Sequence, residues 1–291
     1  VQYINNRDFG GDAAAGTAGK PLYVPAGISA VQNFTLPERI AMYGAGADRT
    51  IIYPWAFTAT GSTIMCLKWP GATTPMIKTH NGNSLSNFTM DGFNSCKVVV
   101  DCMTNNGHGT IEGCTIARGY ASVLYTGAAQ STKNCSIWAQ DCTEPVVVVV
   151  GDNRIHDCDI FGAGLNMPAI KATGHDIVIS NNHFWKNSTT VPAGPSVLYQ
   201  PANTSGNAGN IKITGNIFDT SKGPHVQVQI DGTVTVHALS ITNNDAFQNS
   251  TIPAATYSYI DINVAVGAVI KGLLIEGNTG MGDYAGGNFG T

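Results

Sequence analysis

The chain has 291 residues, of which only 12% are charged, and its 15 Lys and Arg against 19 Asp and Glu give a formal net charge of −4. Without a basic cluster to neutralise phosphates, this balance argues against nucleic acid as a partner. Without a run of 18 apolar residues, nothing in the chain reads as a membrane-spanning helix.

Beginning at Val1 with no leader ahead of it, the chain reads as an excised or processed piece. Its first part, residues 1–65, contains "DFGGDAAAGTAGKPLYVPAG" from Asp8 and "NFTLPERIAMYGAGADRTIIY" from Asn33. These glycine-rich stretches with short apolar runs are expected to form entry coils. Residues 66–291 form the body, in which one motif recurs. It reads LSNFTM from Leu85, IEGCTI from Ile111, KNCSI from Lys133 and IHDCDI from Ile155. It continues as VISNNHF from Val178, IKITGNIF from Ile211, LSITNNDAF from Leu239 and LLIEGNT from Leu273. Aligned, the key column is Phe88, Cys114, Cys135, Cys158, Asn182, Asn216, Asn244 and Asn278, with successive members 21 to 34 residues apart.

Apolar residues at alternate positions mark a strand, and repetition at this length marks one coil of a solenoid. A strand is expected ahead of each motif, over Lys97–Cys102, Ser122–Gly127, Val146–Gly151, Ala169–Gly174, Val197–Gln200, Val226–Asp231 and Tyr259–Asn263. A third follows the column, as in SIWAQ, DIFG and HFWK. The predicted fold is all-β, a single-stranded parallel β-helix with about three strands per coil. The column points inward, its asparagines stacked in an amide ladder and its cysteines packed as small buried thiols. With no CxxC and no Cys/His zinc spacing, the cysteines are expected to be reduced, and no metal or cofactor is expected.

Three residues past the column the chain should face outward, at Asp91, Ala117, Trp138, Phe161, Trp185, Asp219 and Phe247. Trp138, Phe161 and Trp185 fall on consecutive coils and would form an exposed stripe about 10 Å long. Such a stripe suits the apolar face of a sugar ring, or a subunit interface. Asp159 and His183 occupy the first outward position after the column, and Arg118 and Tyr120 are read as lying one coil below. Asp141 and Glu144 sit where "AQDCTEP" turns into the all-valine strand. Two before the column, Glu112, Lys133 and His156 stack on successive coils, most simply as a solvated charge ladder.

Glycoside hydrolysis needs two carboxyl groups roughly 5–5.5 Å or 6.5–9.5 Å apart. One coil step is about 4.8 Å, so acids one or two coils apart reach both separations. Asp141, partly desolvated beside Trp138, is expected as the proton donor, with Glu144 or Asp159 as base or nucleophile. Arg118 and Tyr120 would hold hydroxyls or a carboxylate. His156 and His183 would contact substrate, or act as the base of an elimination. Asp152, Asp157 and Asp159 alternate in direction and make a poor calcium cage.

Asp8-Phe9-Gly10, Pro25-Ala26-Gly27 and Gly44-Ala45-Gly46, in that order ahead of the repeats, resemble the entry coils of the pectate-lyase-like superfamily. In particular they resemble those of bacteriophage tailspike depolymerases, over essentially the whole chain. The chain lacks the aspartate- and threonine-rich helix usual between the first two motifs, and it ends in "GMGDYAGGNFGT" with no obvious trimerisation tail. The resemblance implies a right-handed β-helix, usually a homotrimer, on a virion tail or otherwise extracellular. Such a protein binds and cuts bacterial cell-surface polysaccharide. The expected activity is glycoside hydrolysis of capsule, O-antigen or exopolysaccharide. A polysaccharide lyase and a non-catalytic receptor-binding β-helix are the alternatives.

Overall fold

The computed structural model describes residues 2–3, 21–31, 34–36, 41–54, 75–78, 82–94, 96–103, 108–139, 142–162, 167–185, 194–202, 207–219, 223–247 and 259–281. These residues form three parallel sheets and no helix, each complete coil giving one strand to each sheet. Sheet 1 holds the strands ahead of the motif, among them Val98–Asp101, Ser122–Tyr125, Val147–Val149, Ile170–Ala172, Val197–Tyr199, Val226–Ile230 and Ile260–Val264. Sheet 2 holds the motif strands, such as Gln130–Lys133, Asn153–His156 and Ile177–Ser180. Sheet 3 holds the short strands that follow, such as Ser136–Trp138, Asp159–Phe161 and His183–Trp185. Neighbouring strands of a sheet are one coil apart in sequence, which makes the chain a right-handed parallel β-helix.

Alternation of side chains puts one face of every strand inside. In sheet 2, Ile111, Thr132, Ile155, Ile179, Ile213 and Ile241 stack in register, and each is buried. The key column stands at the corner between sheets 2 and 3. Phe88, Cys114, Cys135, Cys158, Asn182, Asn216 and Asn244 are all buried there, and the cysteines among the described residues are free thiols. The amide ladder is complete from Asn182 to Asn278. The Asn182 backbone N–H and Nδ2 both donate to Asn216 Oδ1, at 3.0 and 3.1 Å. Asn216 donates in the same way to Asn244 Oδ1 at 3.0 and 2.9 Å, and Asn244 to Asn278 Oδ1 at 3.1 and 2.9 Å. Where the column changes type, the Cys158 N–H donates to Asn182 Oδ1 at 3.0 Å.

A second column, not singled out in the sequence, makes this corner possible. The residue before each column member has a left-handed backbone, from Asn87 (φ 60°), Gly113 (61°) and Asn134 (53°) to Asn243 (54°) and Gly277 (65°). Glycine, asparagine and aspartate tolerate that region, which explains why only they occur there. At Gly215 (φ 66°) a Cβ would also stand 2.5 Å from Asn181 Oδ1 of the coil below.

Inside sheet 1, His225 is fully buried, stacked on Phe218 at 5.3 Å and edge-on to Tyr259, with Nδ1 3.4 Å from Ser196 Oγ. Burial pushes its pKa down to about 3. In the unfolded chain an imidazole titrates near 6.5, so the unfolded state takes up the proton first. This group therefore leaves stability intact above about pH 6.5 and removes it as pH falls towards 3, by about 1.4 kcal/mol per unit. His225→Phe keeps the aromatic stack, and its thermal midpoint should fall less steeply between these limits than that of the wild type. Parallel midpoint profiles of the two proteins would rule the effect out.

Candidate functional site

From Thr89–Asp91 onward the strands of sheet 3 are three residues long with the middle residue pointing inward, because the corner ahead of them fixes which residue leads. Register then aligns Ser136, Asp159 and His183 in one row and Trp138, Phe161 and Trp185 in the next. Trp138 is 51% exposed and Trp185 39%, so the aromatic stripe faces solvent. Phe161 is half-buried, its ring 5.4 Å from that of Trp138. Asp159 is exposed and meets two other candidates at once. Trp185 Nε1 donates to Asp159 Oδ1 at 3.4 Å, and His183 Nδ1 lies 3.7 Å from the same oxygen. The His183 and Trp185 rings are 4.1 Å apart. An indole N–H can only donate, so the contact fixes that carboxylate oxygen as an acceptor beside the stripe.

The other candidates are placed elsewhere. Asp141 lies outside the described residues. Glu144 accepts a hydrogen bond from the Tyr125 hydroxyl of sheet 1, and its N–H donates to Ala121 O at 2.9 Å. Burial, and then this carboxylate, push the Tyr125 pKa up. Asp101 is in register with Tyr125 and caps its own turn by accepting from the Met103 N–H at 2.9 Å. Arg118, with φ 58°, is engaged by Asp91 through both ends of its guanidinium, Nε at 2.8 Å, and lies 4.2 Å over the Phe93 ring. Tyr120 is exposed. His156 belongs to sheet 2, where its Nδ1 is 2.7 Å from Asp157 and its Nε2 3.4 Å from Ser131 Oγ. Beside it Lys133 and Glu112 form an ion pair at 3.0 Å, which His156 does not join although it stacks in register with Lys133.

The outer face of sheet 1 carries residues the sequence reading did not select. Asp231 accepts from Gln200 Nε2 at 2.9 Å and from Gln229 Nε2 at 3.3 Å. Asp261 accepts from Gln227 Nε2 and Asn263 Nδ2, both at 2.9 Å. Their signal is plain in retrospect: in VQVQID and YIDIN the polar residues fall at alternate positions, which a strand puts on one face. Such amide–carboxylate pairs present fixed donors and acceptors that could meet hydroxyl groups. Among the described residues, one exposed cluster could ligate a metal, made of Asp152, His175 and Asp176. Its members already satisfy one another, His175 Nδ1 lying 2.8 Å from Asp176 and 4.0 Å from Asp152. The Asn210 amide, and then His175, hold the Asp176 carboxyl below the usual carboxylate range.

No family model and no curated protein sequence matches this chain. Solved structures do. The A-module of a mannuronan C-5 epimerase from Azotobacter vinelandii matches with a TM-score of 0.53 at 12% identity, over 93% of each chain. A tailspike protein of Acinetobacter baumannii bacteriophage Fri1, a capsular polysaccharide depolymerase, matches at 0.53 and 12%, over 98% of this chain and 60% of that one. A Geobacillus virus E2 protein matches at 0.54 and 15%, over 98% and 62%. This chain thus spans about three fifths of the length of the two phage chains. At such identities the likeness is one of architecture: this chain has the parallel β-helix fold of a mannuronan epimerase module and of two viral proteins, one of them a tailspike depolymerase.

Proposed function

We propose that this protein is an extracellular depolymerase of bacterial surface polysaccharide, carried on a phage tail, which cleaves its glycan by hydrolysis along the outer face of sheet 3. One observation carries the reading: Asp159 is held by Trp185 and His183 at the edge of an exposed aromatic row. Stacked Trp138, Phe161 and Trp185 give the apolar platform that sugar rings need, and Asp159 supplies an oriented carboxylate within one coil of it. The tailspike depolymerase and the mannuronan epimerase, two similar structures that act on polysaccharide, support a glycan substrate for this chain. In this proposal Asp159 is the base or nucleophile and Asp141 the proton donor. Glu144 buttresses the neighbouring turn through Tyr125. Arg118 keeps Asp91 neutralised, and Tyr120 borders the face. Assembly as a homotrimer belongs to the same reading.

Reducing-sugar release from capsule, O-antigen and exopolysaccharide preparations tests it, read beside the ultraviolet absorbance of unsaturated uronate. Sugar release without absorbance supports hydrolysis. Absorbance would mean elimination, and binding without release would mean a receptor module. Trp138→Ala should weaken glycan binding by about 1–3 kcal/mol, on the scale of ring stacking, with turnover of bound glycan unchanged. Trp185→Ala should lose turnover as well, because it also releases Asp159. Calorimetric binding and reducing-sugar release of both variants separate these outcomes; equal loss of turnover in both would contradict the assignment.

A further inference from the structure

Charge is not shared evenly among the three sheets. Within the described strands, sheet 2 carries Lys133, Arg154, Lys212 and Lys271 against two glutamates, and sheet 1 carries two lysines and two aspartates. The strands of sheet 3 hold Asp91, Asp159, Asp219 and Asp245, and no lysine or arginine. Arg118, which follows one of those strands, is bound to Asp91. The exposed apolar surface also runs further than the three aromatics: the row itself continues through Asp219 to Phe247, which is 50% exposed, and Ile217 in the neighbouring row is 48% exposed. Asp245 shares a row with His183 and Ile217, and Asp219 pairs in register with Phe247. Between Trp138 and Phe247 the row spans four coil steps, about 19 Å. A ligand lying along it stays within about one Debye length, roughly 8 Å at physiological ionic strength, of one carboxylate or another.

We infer that sheet 3 selects its glycan by charge, admitting chains of neutral and amino sugars and excluding polyuronates and other anionic glycans. The inference rests on the proposal that this face is where glycan binds. An anionic sugar stacked on the row would bring its carboxylate against Asp159, Asp219 or Asp245 over an apolar floor, where like charges are poorly screened. A protonated amino group in the same place meets an acceptor. Elimination from a uronate also needs the substrate carboxylate neutralised, and the described strands of this face bring no lysine or arginine to do so. Charge selection and hydrolytic chemistry therefore point the same way.

The test uses the full chain and three soluble probes in slightly acid buffer, namely oligomers of N-acetylglucosamine, of glucosamine and of galacturonic acid. Binding is followed by tryptophan emission and calorimetry at low and high salt. The neutral and amino oligomers should perturb the emission, and the amino oligomer should lose affinity as salt rises. The galacturonate oligomer should bind at least about tenfold more weakly than the amino one at low salt, the scale of one unscreened charge contact. The double substitution Asp219→Asn with Asp245→Asn lies outside the proposed catalytic groups. It should leave neutral binding unchanged, weaken amino-sugar binding and bring galacturonate closer to the neutral oligomer. Galacturonate binding as tight as the neutral oligomer at low salt, or a double variant with unaltered discrimination, would overturn the charge rule. Emission unperturbed by all three probes would instead overturn the placement of glycan on sheet 3.

Discussion

Asn216→Leu should lower the unfolding free energy by about 1–3 kcal/mol, a large share of what a domain has. Asn216 is fully buried and joins the coil on either side of it. Its Oδ1 is the acceptor for the Asn182 backbone N–H at 3.0 Å, and its Nδ2 donates to Ile179 O at 3.0 Å. Leucine nearly matches the volume but removes the acceptor of the buried Asn182 N–H, at a cost of about 1–3 kcal/mol. The Asn182 amide keeps Ile155 O at 2.9 Å, so the damage stays within one step of the ladder. Cys158→Asn is the counterpart, because an amide at that corner extends the ladder by one coil instead of interrupting it, and it should be tolerated. Urea unfolding followed by tryptophan fluorescence measures both. A loss below about 1 kcal/mol for Asn216→Leu would show that the ladder records the corner rather than holding it.

Asp159→Asn should reduce turnover of the cleaved glycan by about 100-fold or more, the usual scale of an acid–base or nucleophilic carboxylate. Binding should stay within about threefold of wild type, since a threefold change is well under 1.4 kcal/mol. The substitution is informative because an asparagine carbonyl can still accept from Trp185 Nε1, 3.4 Å from the present oxygen. The row, the indole and His183 keep their places, and only the charge is removed. Turnover and calorimetric binding on the same glycan distinguish the effects. A fully active Asp159→Asn protein would move the chemistry to sheet 1, where Glu144 and Asp101 flank Tyr125.

The coil arrangement was legible because each strand carries its own period. Val98–Asp101, Ser122–Tyr125 and Val226–Ile230 all fall within the segments expected ahead of the motif. The outward stripe was legible for a related reason: three residues counted from a buried corner leave only one register for Trp138, Phe161 and Trp185. The direction of long side chains was not. Arg118 leaves its strand through a left-handed residue and meets Asp91, 27 residues earlier. His156 turns to its sequence neighbour Asp157 although its row stacks on Lys133. Glu144 reaches back 19 residues to Tyr125. Each choice depends on which residue a neighbouring coil offers at that height, and the irregular coil lengths hide that from a linear reading. The left-handed column was overlooked because glycine, asparagine and aspartate look interchangeable with the polar residue beside them. Only the backbone separates the two roles.

The in-register stacking of coils has a bearing on how fast this protein can form. From Phe88 onward every strand pairs with one only 21 to 34 residues away. Relative to 291 residues that separation is about 0.07–0.12, a contact order otherwise typical of helical bundles and well below that of most all-β domains. Each added coil closes a loop of similar size onto a template already in place, so the entropic cost of closure recurs in small instalments and does not grow along the chain. The slow event is then the first pair of coils to stack, and growth from that nucleus proceeds by propagation, as in other repeat arrays.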